Sequence, residues 1–343
     1  MAKKILLTGG AGFIGSHTYV ALVKVGYDVT ILDNFENARR DIPDRLKQIT
    51  GCPTQVIDCD VRDAAVVSDI MAQEKFDAVV HFAARKSVGE AQADPAGYYQ
   101  SNVIGLINVV QAMQTHGVKA LVFSSSAAVY GNTDQVPIPE DTPLVPIGVY
   151  AETKKAGEIF LQSVAAADPD FTLGILRYFN PVGAHASGLI GEDSSQPPTN
   201  LVPMISRVAR GELPKLCIFG GDFPTVDGTG VRDYIHVQDL ARGHVLSLDA
   251  LLENKQSHLV NLGTGQGHSV LEVLHAYGAV LGRAVPYEIT ERREGDAAIS
   301  FASVSRAREI LGFESRQGLD EMCASNWAFS DPAGASVEAL NQK

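Results

Sequence analysis

Tyr150 and Lys154 stand four residues apart in Tyr150-Ala151-Glu152-Thr153-Lys154. On a helix that spacing puts both side chains on one face, with Cβ atoms ~5–6 Å apart. A free phenol titrates near pH ~10 and is a poor base at neutrality. A nearby ammonium favours the phenolate and lowers that pKa, so the pair is a candidate proton-transfer device near neutral pH. The pattern Y-x-x-x-K also occurs on ordinary solvated helices, so the rest of the chain must supply the context.

Two other stretches supply it. Residues 4–8 read as a short apolar strand, followed by Gly9-Gly10-Ala11-Gly12-Phe13-Ile14-Gly15 and a helical pattern ending near Gly26. Glycines at Gly9, Gly12 and Gly15 let the backbone turn sharply and approach a pyrophosphate, which then sits on a helix N-terminus. The next strand, 29–32, ends at Asp33. An acid at that distance can bind both ribose hydroxyls of NAD and repel the 2′-phosphate of NADP. Arg39 and Arg40 follow closely and leave NADP open as an alternative. Farther on, Ser124-Ser125-Ser126 closes an apolar strand just ahead of the Tyr150 helix. A loop in that place puts a hydroxyl over a bound cofactor, so Ser126 joins the catalytic candidates.

These residues need a frame. Strands are expected at 54–57, 78–82, 120–124 and 172–176, and helices at about 63–74, 96–116 and 150–167. Strand and helix alternate as in a Rossmann-like, doubly wound parallel sheet, an α/β fold. Ligands of such sheets bind at the carboxyl ends of the strands, where Asp60, Ala83, Ala84 and the three serines stand. After Arg177 the rhythm breaks into a Pro-, Gly- and Asn-rich stretch, with a helical patch near 201–211. Strand-helix texture returns from Asp233 to Leu248, and 258–262 reads as a strand. The last dozen residues read as disordered. The division expected is an NAD-binding domain of residues 1–180 plus about 231–265. A smaller, discontinuous α/β domain of 181–230 and 266–343 would bind substrate, with the ligand in the cleft between them.

Composition narrows the class. The 343 residues are 45% hydrophobic and 20% charged, enough to bury a sizeable core. A net charge of −12 without a long basic run argues against nucleic acid or an anionic membrane as partner. No apolar run approaches the ~20 residues that span a bilayer. The four cysteines, Cys52, Cys59, Cys217 and Cys323, are scattered without a C-x-x-C pair. That argues against a disulfide framework or a metal site and for a reducing cytoplasm.

Seven stretches together resemble the UDP-glucose 4-epimerases of the extended short-chain dehydrogenase/reductase superfamily. They are T-G-G-A-G-F-I-G-S-H (8–17), H-F-A-A (81–84), S-S-S-A-A-V-Y-G (124–131), Y-A-E-T-K (150–154), R-Y-F-N-P-V-G-A-H (177–185), D-G-T-G-V-R-D-Y-I-H-V (227–237) and R-R-E-G-D (292–296). The resemblance implies that Phe13 and Ile14 lie against the pyrophosphate, and that Asp33, Asn34 and Asn37 hold the adenosine end. Asp60 and Val61 would meet the adenine. Phe82, Ala83, Ala84, Lys86, Asn102 and Ser124 would line the tightly bound NAD, and Phe179 would touch its nicotinamide end. Ser126, Tyr150 and Lys154 would be catalytic. Asn180, Asn200, Leu201, Cys217, Ile218, Phe219, Arg232, Arg293 and Asp296 would form the UDP-sugar pocket. In an acidic chain, two arginines in Gly-flanked loops suit a diphosphate, since a guanidinium forks onto its oxygens.

The activity implied is reversible interconversion of UDP-galactose and UDP-glucose by oxidation at C4, turnover of the 4-keto sugar and re-reduction, with NAD not consumed. Ser300 departs from a bulky tyrosine common in the family, which leaves room for N-acetylated UDP-sugars. The rivals are a 4,6-dehydratase, a 4-keto-sugar reductase and a non-catalytic NAD-sensing protein. Dehydratases carry an acid pair after the serine loop, where Ala127 and Ala128 stand. A homodimer is expected, because the apolar run Val103, Ile104, Leu106, Ile107, Val109 and Val110 is wider than one core-facing stripe needs.

Overall fold

The computed structural model describes residues 2–193, 200–293 and 295–331. Its first half alternates strand and helix. β1 (Lys4–Thr8), α1 (Phe13–Lys24), β2 (Asp28–Asp33), α2 (Ile42–Thr50), β3 (Gln55–Asp58), α3 (Ala64–Glu74) and β4 (Ala78–His81) come in order. Two short helices follow, α4 (Val88–Ala93) and α5 (Pro95–Tyr99), then a π-helical turn (Gln100–Ile104) and α6 (Gly105–His116). β5 (Ala120–Ser126), a 3₁₀ turn (Ala127–Tyr130), α7 (Val149–Ala167) and β6 (Thr172–Tyr178) complete this half.

The second half is built of shorter pieces: β7 (Asn180–Val182), α8 (Leu201–Ala209), β8 (Leu216–Phe219), β9 (Val231–Arg232) and β10 (Tyr234–His236). They are followed by α9 (Val237–Glu253), β11 (His258–Leu262), β12 (His268–Ser269), α10 (Val270–Leu281), β13 (Tyr287–Thr290), β14 (Ile299–Ser300), α11 (Ser305–Leu311) and α12 (Leu319–Ser330).

Seven strands form one parallel sheet in the order β11-β6-β5-β4-β1-β2-β3. β1 is an interior strand covered on both faces, which its apolar run requires: Ile5 and Leu7 enter the core on one face and Leu6 the core on the other. α1, α2 and α9 fill the first face through Tyr19, Leu22, Leu46, Leu240 and Leu248. α3, α6 and α7 fill the second through Val67, Met71, Val109, Met113 and Leu161. From β1 the chain winds out to β3, then returns to β4 on the other side of β1. The crevice at the carboxyl ends of β1 and β4 is therefore the switch point where such sheets take a ligand.

α8, α10, α12 and β8 share a separate core that includes Ile205, Ile218, Leu274, Tyr277 and Met322. Two sequence expectations need correction. The stretch 96–116 is not one regular helix, because a π turn interrupts it around Asn102. The segment from α11 to Phe313 does not join the second core: Ala307, Leu311 and Phe313 pack on the sheet beside α9. The last dozen residues lie outside the described ones.

Candidate active site

The glycine loop is a cradle that only bare backbone fits. Gly9 has φ +69°, and a Cβ there would stand 2.7 Å from the Ala83 nitrogen. A Cβ on Gly15 would stand 2.4 Å from the Gly9 carbonyl oxygen. Loop and β4 end are thus in van der Waals contact across the switch point. Gly12 caps α1 with no side chain bonded to the helix N-terminus, so its first N–H groups remain available to an anion. Phe13 and Ile14 open that helix.

Asp33, at the end of β2, is buried and accepts from Ala11 N at 3.0 Å and Phe35 N at 2.9 Å. These bonds aim its carboxylate across the loop. Burial raises its pKa, and the two backbone donors oppose the rise. Asn34 donates to Asp60 at 2.8 Å. Asp60 is also held by Arg62, which pulls its pKa down to about 2, so it is a carboxylate at any physiological pH. The tight turn, the open helix end and the oriented acid fit a dinucleotide. The alternative of NADP loses support. Arg40 pairs with Asp58 at 2.7 Å and Arg39 with Asp41 at 3.1 Å, so neither guanidinium waits unpaired for a 2′-phosphate.

Val61 packs on Gly105, where a Cβ would stand 2.6 Å from its Cγ2. Phe82 donates its N–H to Thr8 O at 2.9 Å. Ala83 and Ala84 follow along the same strand end. Asn102 explains the π turn. Its side chain accepts from Arg85 N at 2.8 Å and donates to Arg85 O and to Thr153 Oγ1, each at 3.0 Å. One buried amide therefore ties the loop after β4 to α7. Lys86 reaches across to Glu192 at 2.9 Å, and Asn200 donates to the same carboxylate oxygen at 2.7 Å. Asn37 is exposed in the loop after β2.

Tyr150, Lys154 and the serine loop come together as their spacing implies. The Tyr150 phenol lies beside the Ser126 side chain, whose oxygen accepts from Ala128 N at 3.2 Å. Lys154, 3% exposed, donates to the Ser124 carbonyl at 2.7 Å. The electrostatics differ from expectation. Burial pushes Tyr150 up to about 12, with Ser126 opposing the rise and Tyr98 adding to it. Lys154 does not offset that rise: its own pKa is lowered to about 8, so it has lost its charge well before the pH at which Tyr150 would ionise.

Burial also lowers Lys154 from 10.5 to about 8. Below pH 8 both folded and unfolded chains carry the proton, so the buried charge costs stability there. As pH rises from 8 to 10.5 the unfolded chain holds more protons, and the cost disappears. Lys154→Met is therefore expected to stabilise the NAD-stripped protein at pH 7, on the order of 2 kcal/mol. The gain should vanish by pH 10.5 in denaturant titrations across that range.

The residues expected to meet a UDP-sugar are spread over β7, α8, β8, β9, β14 and the loop before β14. Asn180 donates to Asp233 O at 2.9 Å. Arg232 faces Asp296, 3.9 Å apart, and pairs in register with Ser300. The Arg293 guanidinium stacks 3.7 Å from the Phe219 ring centre. Asn200 and Leu201 open α8. Cys217 and Phe219 are exposed on β8, but Ile218 between them is 2% exposed and belongs to the second core. A strand alternates its side chains, so Ile218 can offer a ligand only backbone. Phe179 is buried with Val129, Tyr130, Ile138 and Ala302 beneath the serine loop. That cluster joins the Ser300 strand to the Ser126 turn. Glu294 of the R-R-E-G-D stretch lies outside the described residues.

Sequence reading passed over Asp233. It is buried and accepts from Thr264 N and Oγ1, Gly265 N and Ala302 N. It fixes the backbone on both sides of Arg232 and Ser300. Its place beside Arg232 in the V-R-D-Y stretch was the only signal. Glu158 and Glu192 were also passed over. Among the described residues no cluster suited to a metal ion occurs, and no helix is long and apolar enough to cross a membrane.

A family model described as the NAD dependent epimerase/dehydratase family matches residues 5–263. The chain is 47% identical over 323 residues to a UDP-glucose 4-epimerase of Bacillus subtilis (strain 168), covering 94% of this chain and 95% of that protein. It superposes with TM-score 0.95 on a UDP-glucose-4-epimerase from Stenotrophomonas maltophila solved with NAD and formylated UDP-arabinopyranose. That pair is 47% identical and covers 97% and 99% of the two chains. A Bifidobacterium longum UDP-glucose 4-epimerase, solved with NAD+ and UDP, superposes with TM-score 0.90 at 45% identity over 97% and 100% of the chains.

Proposed function

The chain belongs to the NAD dependent epimerase/dehydratase family and within it to the UDP-glucose 4-epimerases, and from there we propose how its own residues interconvert UDP-galactose and UDP-glucose. It is an NAD-dependent epimerase acting at C4 of a UDP-hexose. The observation that carries the assignment of roles is the meeting of Tyr150, Lys154 and the serine stretch at the carboxyl end of β5, where Lys154 donates to the Ser124 carbonyl at 2.7 Å and the phenol lies beside Ser126.

Bound NAD supplies a hydride acceptor and donor and a positively charged ring. Tyr150 takes the proton from the sugar 4-hydroxyl, directly or through Ser126, and returns it when the other face is reduced. Lys154 anchors the serine loop through Ser124 and keeps positive charge in the pocket. Asp33 and the α1 N-terminus hold the dinucleotide, with Asn34, Asp60, Lys86 and Asn102 ordering its surroundings. Arg232 and Arg293 grip the diphosphate. The 4-keto sugar must turn over between the two half-reactions. Strong binding to UDP and weak binding to the sugar permit that, because binding energy is placed away from the reacting carbon. The dehydratase reading is weakened by Ala127 and Ala128, neither of which can transfer a proton.

The two-domain division is part of the same reading, with α11 and Phe313 reassigned to the cofactor side. So is a homodimer: Ile104 and Ile159 are 47% and 53% exposed, the first at the end of the π turn and the second on α7, apolar side chains suited to a two-fold partner. A cytoplasmic setting agrees with four free cysteines, of which Cys52 and Cys217 are exposed.

Ser300 is proposed to leave room at the sugar 2-position for an acetamido group. Ser300→Tyr should cut kcat/KM for UDP-N-acetylgalactosamine by ~10-fold or more, with UDP-galactose changed far less. Equal losses on both sugars would refute that role.

An NMR time course of purified protein with UDP-galactose and no added cofactor tests the whole reading. Conversion to UDP-glucose is expected. Loss of water, or net oxidation of supplied NADH, would instead point to a dehydratase or a reductase.

A further inference from the structure

Tyr150, Lys154 and Glu158 fall at successive fourth positions of α7, and each engages one member of the serine stretch that ends β5. Tyr150 lies beside Ser126, Lys154 donates to the Ser124 carbonyl, and Glu158 accepts from the Ser125 hydroxyl. Glu158 is 1% exposed and Arg177, on β6, is 3% exposed. The guanidinium forks onto the carboxylate, with Nε at 2.9 Å and Nη2 at 2.6 Å. Its remaining nitrogen donates to Tyr130 Oη at 3.0 Å and to Glu140 O at 2.9 Å. Tyr130 in turn donates to Asn261 of β11 at 2.7 Å.

A buried ion pair is a poor device for stability, since an apolar pair of similar volume often does as well. Its strength is geometry: a bidentate fork tolerates little displacement. Resting on the epimerase reading, we propose that Glu158, clamped by Arg177, is the positioning residue of the catalytic pair. It holds α7 in register against the serine stretch and serves as counter-ion to the Lys154 ammonium.

The electrostatic surroundings agree. Among the described residues Glu158 is the carboxylate that acts on Lys154, and it favours the ammonium against burial. From the other elements, His81 of β4 faces Lys154, and it is held neutral by burial. Tyr98 and Tyr178 face Tyr150. Arg177, Tyr130 and Glu140 surround Glu158. Removing the Glu158 charge therefore takes from Lys154 its buried negative neighbour.

Two holoenzyme variants test this. Glu158→Gln keeps the shape but not the charge. The double variant Glu158→Leu with Arg177→Met removes the pair and leaves no half of it buried unpaired, so a folded protein is expected. Both should lose kcat on UDP-galactose by ~10-fold or more with KM little changed. Both should also move the Lys154 titration down by about one pH unit or more, followed by NMR of isotope-labelled lysine and assigned with Lys154→Met. A double variant with near wild-type melting temperature, kcat and Lys154 titration would overturn the proposal, because a merely structural pair is replaceable. If the wild-type protein does not epimerise UDP-galactose, the functional reading falls on its own. The Lys154 titration then still decides the counter-ion role, an unmoved value overturning it.

Discussion

Tyr150→Phe should lower kcat on UDP-galactose by ~10²–10⁴-fold, the span that a positioned proton-transfer group contributes. KM should change little, because the phenyl ring still fills the same space and the nucleotide is gripped elsewhere, at Arg232 and Arg293. The loss should be this large because neither neighbour of the hydroxyl can replace it. Ser126 is an un-ionised alcohol that already accepts from Ala128 N, and Lys154 is committed to the Ser124 carbonyl. The high pKa of Tyr150, about 12, adds a second expectation. It lies above that of a free phenol, so NAD-stripped protein should show no Tyr150 phenolate near neutral pH. An ultraviolet titration of the native protein, with the same titration of Tyr150→Phe subtracted, isolates this phenol. Run on stripped and NAD-loaded protein, it should give a lower value only when NAD is loaded. Steady-state kinetics together with bound NAD content check the main claim. A variant that kept kcat within about tenfold while holding its NAD would remove Tyr150 from the chemistry.

Gly15→Ala should strip the purified protein of its NAD. The added methyl would stand 2.4 Å from the Gly9 oxygen and 2.7 Å from Gly10 Cα. Both are backbone atoms of the cradle itself, so no side chain can swing away to make room. The loop must shift outward from the α1 N-terminus, and the close approach to a pyrophosphate is lost with it. Retained NAD should fall by ~10-fold or more, which is about 1.4 kcal/mol or more of binding free energy. Gly89→Ala is the control: its methyl meets nothing within 4 Å, and NAD content should be unchanged. Cofactor released by acid and measured by absorbance gives the answer without any activity assay. A Gly15→Ala protein with a full complement of NAD would mean that the cradle is not where the pyrophosphate sits.

Elements whose residues are neighbours in the chain, or repeat with the period of a strand or helix, were legible from the amino-acid order alone. The sheet strands of the first half, the glycine turn and the Tyr150–Lys154 face all arise this way. Apolar runs such as residues 4–8 can only be satisfied by cover on both faces, and a spacing of four on a helix is one face. The same logic would have found Glu158, four residues past Lys154, had the helix face been followed one turn farther. Three features depend on pairs far apart in the chain, which no local pattern encodes. Arg177 meets Glu158 only once β6 lies beside β5. Asp233 gathers Thr264, Gly265 and Ala302 only when their loops have closed around it. The π turn at Asn102 exists because its amide must reach both the Arg85 backbone and Thr153. The direction of the Tyr150 shift belongs with these. Spacing places an ammonium on the right face, but only packing between distant elements sets where its Nζ is spent and how dry the phenol becomes. There desolvation dominates both groups, raising the phenol and lowering the ammonium.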